Sequence, residues 1–497
     1  MDEFQDFGFR GGSPVSVSIY RIEVWVAHST TLVIQIRGYD TVAILRKRLK
    51  LLVWASVAFV SMAAIPGVGQ AESLNDALRR AYQKNPDLRA ERARQRATDE
   101  LVPTAKSGWR PRIVAEGSVT QNWFDTDATK STSNFSQSLD IRLSQPLFRG
   151  FKTVEGIKAA KAQVKAGRQN LLAVEQSILF QAVNAYAAIV RDRQVLRVRQ
   201  RNVVNLKKQV NGAAARFEVG EVTRTDVSQA KAQLSAAQAG AALAKANLEA
   251  SIAQYVAVIG NKPGKLTGYK LAKIPANLDK ALSIAQASNP SVLAAAFVHD
   301  AALHNVEIAY GDLLPTLVLN ASANYTNDPR KGLEYSESAT IQGVLTVPLY
   351  QSGAEYSAVR QAKQTASQQQ LKIIGATRTV RQQVTSSWYV LIASRQAIVS
   401  AKAQVSASNA ALDGINQEYL VGSRSTIDVL NAEQSVLNAR LTLINAEHDQ
   451  LVASYQILAS IGQLTARKLA LGGYYDVRKN YDNVKNKWIG LDADTIE

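Results

Sequence analysis

The amino-acid sequence predicts a mainly α-helical chain with a transmembrane β portion, built as two copies of one half-length unit. Three observations carry this expectation. Two stretches of about 60 residues keep a helical apolar period without a proline, and four segments of about ten residues alternate between apolar and polar side chains. The same order of elements then recurs at an offset of about 200 residues. Four strands and long paired helices per chain are the expected inventory.

Taken in order, residues 1–44 read as an extension upstream of the true translation start, and residues 45–71 as a secretory signal peptide. Leu45-Arg46-Lys47-Arg48-Leu49-Lys50 is a basic n-region and Leu51 to Ala64 an apolar h-region. Gly69-Gln70-Ala71 puts small residues at a cleavage site. The mature chain is expected to start at Glu72. Apart from Met1, the only Met is Met62, inside the h-region, so the expected start is a non-Met codon near Val42 or Leu45.

Residues 72–276 form the first repeat and residues 277–463 the second. Ser73 to Leu88 is answered by Asn277 to Val292, Pro111 by Pro315, Ser144 to Gly150 by Thr346 to Gly353, and Tyr186 by Trp388. Each repeat opens with a helix, continues through a β-hairpin (110–147 and 315–349) and ends in a long helical hairpin (151–260 and 354–462). Residues 464–497 are a C-terminal tail rich in aromatic and charged side chains, read as surface material or an equatorial belt.

The strands are recognised by their period of two. Ile113, Ala115, Gly117, Val119 and Trp123 alternate with Val114, Glu116, Ser118, Thr120 and Asn122, and Phe135, Leu139, Ile141 and Leu143 alternate with Ser136, Ser138, Asp140 and Arg142. Leu317, Leu319, Ala321, Ala323 and Tyr325 repeat the pattern, as do Ala339, Ile341, Gly343, Leu345 and Val347. The polar segments 123–134 and 326–338 read as surface loops, and Pro146 and Pro348 as strand breakers. After the signal peptide no segment holds 18 consecutive apolar residues, so a membrane span is expected only as a β-barrel. Four strands cannot close a barrel whose smallest form has about eight. An open edge in lipid would leave backbone groups unsatisfied. Several copies must therefore pool their strands.

Gly156 to Asn211 and Ala354 to Gln417 are proline-free, and Leu171, Val174, Ile178, Ala182, Ala185 and Ile189 step by three or four. About 60 helical residues span about 90 Å, which requires partners along the whole length. The return helices, Thr225 to Ile259 and Thr426 to Ile461, are rich in Ala, which permits close backbone approach.

Composition excludes much else. The chain has no Cys, which rules out disulfides and thiolate chemistry. His28, His299, His304 and His448 are scattered, and no nucleophile elbow, P-loop or zinc-protease motif occurs. Neither an enzyme nor a cofactor or metal is expected. The net charge of +17 is spread along helices without interleaved aromatics, which does not point to nucleic acid.

Two further features are specific. Asn85-Pro86 is repeated as Asn289-Pro290, and Phe217-Glu218-Val219-Gly220 followed by Asp226-Val227 is repeated as Tyr419-Leu420-Val421-Gly422 followed by Asp428-Val429. With the duplicated half, the paired hairpins and the strand ends at Pro146 and Pro348, they make the chain resemble the TolC family of outer-membrane channels over about residues 72–470. The resemblance implies a homotrimer, with one 12-stranded barrel in outer-membrane lipid and a helical tube across the periplasm. It also implies a passive exit duct for drugs, toxic compounds or proteins. The duct would serve a periplasmic adaptor (membrane fusion) protein and an inner-membrane RND or ABC transporter.

Gly220 and Gly422 are expected to reverse the chain at the periplasmic mouth, with Thr225/Asp226 and Thr426/Asp428 capping the return helices. By resemblance, Tyr419 and Arg424 bond to Thr225 and Asp226 of a neighbouring helix pair and hold the mouth shut. Asp428 would set one acidic ring, a possible cation site, while Asn431 stands where relatives can carry a second acid. The tips Val219-Gly220 and Val421-Gly422 would meet adaptor hairpins. The competing reading is a periplasmic coiled-coil adaptor or structural protein without a pore. Two helical hairpins and four alternating strands argue against it.

Overall fold

The computed structural model describes residues 72–493, Ala128 and Lys331 excepted. The extension 1–44 and the signal peptide 45–71 lie outside the described residues. In chain order the elements are α1 (Leu74–Lys84), α2 (Pro86–Asp99), α3 (Leu101–Lys106), β1 (Arg112–Thr126), β2 (Thr129–Arg149), α4 (Lys152–Glu218), α5 (Arg224–Ile259), α6 (Leu278–Ser288), α7 (Pro290–Tyr310), β3 (Thr316–Arg330), β4 (Leu333–Thr346), α8 (Ala354–Leu420), α9 (Thr426–Ser460) and α10 (Val477–Val484).

The Asn-Pro pairs explain how each half is stitched together. Proline at the first position of α2 and α7 needs no N–H partner there, and it ends the preceding helix. Asn85 Oδ1 caps α2 by accepting from the amides of Asp87 and Leu88 at 3.0 and 3.2 Å. Its Nδ2 donates to the carbonyl of Val258, at the end of α5, at 3.0 Å. Asn289 does the same in the second half, accepting from Ser291 N at 2.9 Å and donating to Ser460 O at 2.8 Å. Each return helix thus abuts the start of a lead-helix segment. The 36 residues of α5 and the 35 of α9 are prolonged end to end to match the 67 residues of α4 and α8, about 100 Å long.

Within the α6–α7 stretch, Leu278–Leu313, one window of 18 residues is long and apolar enough, by length and composition, to cross a membrane. Counting consecutive apolar residues misses it because Ser, Gln, Asn and Pro interrupt the run. In the fold α7 packs against α4 and α8. The main core lies at mid-height, where Leu78, Leu179, Tyr186, Tyr255, Ile457 and Leu464 are all fully buried. Burial is unequal between the halves: α4 buries 20 of its 67 residues, α8 only eight. The C-terminal segment accounts for part of the difference, since the amide of Ala466 donates to Glu175 of α4 at 2.7 Å.

The strands form one antiparallel sheet in the order β1-β2-β3-β4, with both outer edges unpaired among the described residues. Its register brings the four alternating patterns onto common faces. Ile113 pairs with Leu143, Leu143 with Ala321, and Ala321 with Ile341. On the other face Glu116, Asp140, Asn324 and Ser338 form a parallel row.

Two expectations are corrected. The segments 123–134 and 326–338 are not loops: the ladder continues through them, pairing Trp123 with Ser133 and Asn327 with Tyr335. The strands are therefore 14 to 21 residues long. Backbone pairing needs no apolar side chain, so polar Thr- and Ser-rich ends extend a ladder beyond its apolar band. Nor does Pro146 break a strand. It lies within β2 opposite Val318, next to a bulge between Pro146 and Phe148 that absorbs its missing N–H.

Candidate functional site

Two regions of the fold are built alike in both halves and leave apolar side chains exposed: the sheet and the tips of the helical hairpins.

The polar face of the sheet is lined with hydrogen-bonding side chains. Arg142 lies 3.0 Å from Asp140 and 3.4 Å from Glu116, and the hydroxyls of Ser118 and Ser138 are 2.8 Å apart across the strands. The opposite face exposes Ile113, Val119, Trp123, Leu139 and Ile341, the last at 79%. A sheet wet on one side and apolar on the other, with free edges, suits the wall of a pore in lipid.

At the tips the chain reverses through the same backbone motif twice. Gly220 has φ +80° and Gly422 +81°, a left-handed conformation that side chains disfavour. The amide of Gly220 donates to Phe217 O at 3.0 Å and that of Glu221 to Arg216 O at 2.9 Å. Gly422 donates to Tyr419 O at 3.1 Å and Ser423 to Glu418 O at 2.9 Å. These paired bonds satisfy the last carbonyls of α4 and α8 in a Schellman motif. Val219 and Val421 at the turns are 71% and 80% exposed.

The capping residues differ from those expected. Thr223, not Thr225, caps α5, and Ser425, not Thr426, caps α9. In each case an Asp three residues on completes a capping box: Thr223 Oγ1 to Asp226 Oδ2 and Ser425 Oγ to Asp428 Oδ2 are both 2.7 Å. The T-x-x-D and S-x-x-D spacing was the signal for these caps. The hydroxyl of Ser425, then its amide, holds the Asp428 carboxyl below its ordinary value. Thr225 is exposed, Thr426 buried, and Asn431 lies exposed on the first turns of α9.

Within one chain, Tyr419 and Arg424 form their hydrogen bonds inside their own turn. The Tyr419 hydroxyl is 3.3 Å from Thr426 Oγ1, and Arg424 Nε donates to Glu418 Oε2 at 2.6 Å. The chain brings neither onto Thr225 or Asp226 among the described residues. Two participants were not foreseen. Arg216 lies 4.4 Å from the centroid of the Tyr419 ring, tying the tip of α4 to that of α8. Glu418 occupies the position equivalent to Arg216, and each pairs within its turn, Arg216 with Glu221 at 3.8 Å and Glu418 with Arg424. Below the tips, Leu206, Ala230, Ala237 and Leu430 form a small apolar cluster joining α4, α5 and α9.

The comparisons with known proteins agree with this geometry. The profile described as outer membrane efflux protein matches residues 77–261 and 281–463, one match per half. The chain is 36% identical over 449 residues to outer membrane efflux protein BepC of Brucella suis, covering 90% of this chain and 97% of that protein. It is 28% identical over 429 residues to outer membrane protein TolC of Escherichia coli, covering 82% and 86%. Among solved structures, the Campylobacter jejuni CmeC outer membrane channel superposes with a TM-score of 0.72 at 17% identity, covering 83% of this chain and 89% of that one. The chain therefore belongs to the outer membrane efflux protein family and is a passive channel protein of TolC type, seated in the outer membrane with a large periplasmic portion.

Proposed function

We propose that three copies of this chain close a 12-stranded barrel and a continuous helical tube, forming the exit duct of a tripartite efflux pump or a type I secretion system. The observation that carries this reading is the sheet whose two outer edges, β1 and β4, are unpaired among the described residues, with an apolar face that exposes Ile113, Val119, Leu139 and Ile341. Backbone groups at such edges cannot remain unpaired in lipid, and pairing β1 of one copy with β4 of the next satisfies them. The sparse burial of α8 supports the same assembly, since its exposed Leu371, Tyr389, Val390 and Val399 need a neighbour.

The tips form the periplasmic mouth. Tyr419 and Arg424 hold it closed against Thr225 and Asp226 of a neighbouring helix pair. Asp226 uses Oδ2 in its capping box, which leaves Oδ1 for an incoming guanidinium. Glu418 is the competing partner that receives Arg424 when the mouth opens, so the exchange replaces one exposed ion pair by another. Such pairs are weak enough for docking to decide between them. Val219-Gly220 and Val421-Gly422 present six similar docking sites per trimer to the hairpins of a periplasmic adaptor. The energy and the choice of cargo reside in the inner-membrane RND or ABC transporter.

Fractionation tests the assembly. The expected result is a heat-resistant species of three chains in detergent-extracted outer membrane, whereas a soluble periplasmic monomer would overturn the reading.

A further inference from the structure

Beyond α10 the chain climbs from mid-height to the level where the strands begin. Lys106 Nζ donates to Asn486 Oδ1 at 2.6 Å, and Arg110 donates to the carbonyl of Lys487 at 2.8 Å. The Arg110 guanidinium also lies 4.8 Å from the centroid of the Trp488 ring. Arg110 precedes β1 by two residues, so these contacts hold the tail at the boundary between helices and sheet. There the tail presents Trp488, Ile489 and Leu491, which are 66%, 92% and 104% exposed. Trp109, Leu147 and Phe151 are exposed at the same boundary, and Phe151 packs edge-on against Phe148, which pairs with Leu317 of the apolar face.

Four cations gather beside this edge. Val102, Ala160 and Val164 pack with Ala105 and Tyr481, which draws together α3, α4 and α10 and with them Lys106, Lys161 and Lys485. The Lys106 ammonium is held below its ordinary value by burial first, and then by the like charges of Lys161, Lys485 and Arg110. Of the four, only Lys485 has a carboxylate partner among the described residues, Asp482 at 2.6 Å. The concentration of positive charge calls for an anion from outside the chain.

We propose that the C-terminal tail is a membrane-interface anchor: Trp488, Ile489 and Leu491 enter the periplasm-facing leaflet, and Lys106, Arg110, Lys161 and Lys485 take the phosphates of anionic phospholipids. Trp favours the headgroup level, and Lys and Arg extend apolar stems along it with their charges at the phosphates. The proposal rests on the reading of the strands as one subunit's share of a transmembrane barrel.

The absence of Cys makes any introduced thiol unique. Ile489→Cys, Val119→Cys and Ser423→Cys are each labelled with an environment-sensitive fluorophore. The trimers are then placed in phosphatidylethanolamine and phosphatidylglycerol vesicles with brominated acyl chains. The label at position 489 is expected to be blue-shifted and quenched like that at 119, with neither effect at 423. A blue shift without quenching at 489 would mean that a neighbouring copy covers the tail. Emission as wet as at 423 would leave the tail in water, and either result overturns the anchor. An unquenched label at 119 would instead overturn the barrel reading. Adding Lys161→Gln should reduce quenching at 489 in vesicles with phosphatidylglycerol and not in those without it. An equal effect in both removes the anionic headgroups from the proposal.

Discussion

The guanidinium of Arg216 stacks on the ring of Tyr419 at 4.4 Å, while the hydroxyl of the same tyrosine lies 3.3 Å from Thr426. One side chain thus joins the ends of α4 and α8 and the start of α9. Arg216 and Tyr419 are half-buried, and their cation–π contact contributes at least the ~0.5–1 kcal/mol of an exposed one, about a two- to fivefold change in a closed-to-open ratio. Tyr419→Phe keeps the ring and loses the hydroxyl; Tyr419→Ala loses both. Both variants should raise single-channel conductance in a planar bilayer, the alanine variant by about two- to fivefold more. Unchanged conductance in both would restrict Tyr419 to a structural role.

Arg424 has a partner in its own turn, Glu418 at 2.6 Å, and the proposed gate requires it to exchange that partner for Asp226. Arg424→Ser should therefore raise conductance by loosening the closed mouth. Glu418→Gln should act oppositely, since it weakens the alternative to closure and lowers the open fraction. The same direction of change in both variants would show that the in-turn pair is not a competitor of the gate.

Asn431 lies one helical turn beyond Asp428 on the exposed side of α9. In the proposed trimer a carboxylate there would add a second ring of three charges to a ring of Asp428 carboxylates. Asn431→Asp is expected to lower the half-blocking concentration of a trivalent cation by about tenfold, given nearby charges at solvent-like dielectric. Block indifferent to this change would separate the acidic ring from ion entry.

Much of this fold was legible because its elements are long and strictly periodic. The alternation at Ile113, Ala115, Gly117 and Val119 marks one face, and the steps from Leu171 to Ile189 mark one stripe. Ladder ends such as Trp123–Ser133 were not legible, because a strand that runs past its apolar band no longer alternates. Proximity to the turn points to Thr225 and Thr426 as caps, whereas the three-residue spacing to Asp226 and Asp428 points to Thr223 and Ser425, the residues that cap α5 and α9. Contacts such as Arg216 with Tyr419, or Glu175 with Ala466, join distant parts of the chain by packing alone, and a single sequence carries no trace of them.

Glu175 gives the mid-height core a pH dependence. Burial pushes its carboxyl above the ordinary value of 4.5, although the Ala466 amide opposes this by donating to Oε1. The folded chain then binds the proton more tightly than the unfolded chain, so stability falls as pH rises from 4.5 through the raised value. Glu175→Gln keeps an acceptor for Ala466 and cannot ionise. Its thermal midpoint should match that of the parent below pH 4.5 and exceed it at neutral pH. An equal difference at both would assign the effect to packing.

Asn85 and Asn289 each cap one helix with Oδ1 and satisfy the last carbonyls of another with Nδ2, and both are buried, at 4% and 6% exposure. An Ala at either site removes a cap, at about 1 kcal/mol, and orphans a buried carbonyl at about 1–3 kcal/mol. Asp at the same site keeps the cap and loses only the donor, but places a carboxylate against that carbonyl. Asn85→Ala and Asn289→Ala should each destabilise the assembled channel by about 2–4 kcal/mol. The Asp variants should be no better, because their retained cap is offset by a buried charge facing an acceptor. The two joints lie in different halves without shared partners, so the double Ala variant should lose the sum of the single losses. The midpoint of thermal dissociation of the oligomer, read on a gel for all five variants, measures this. A loss of about 0.5 kcal/mol or less, as for an exposed surface change, would show that packing and not these amides holds the stacked helices in line.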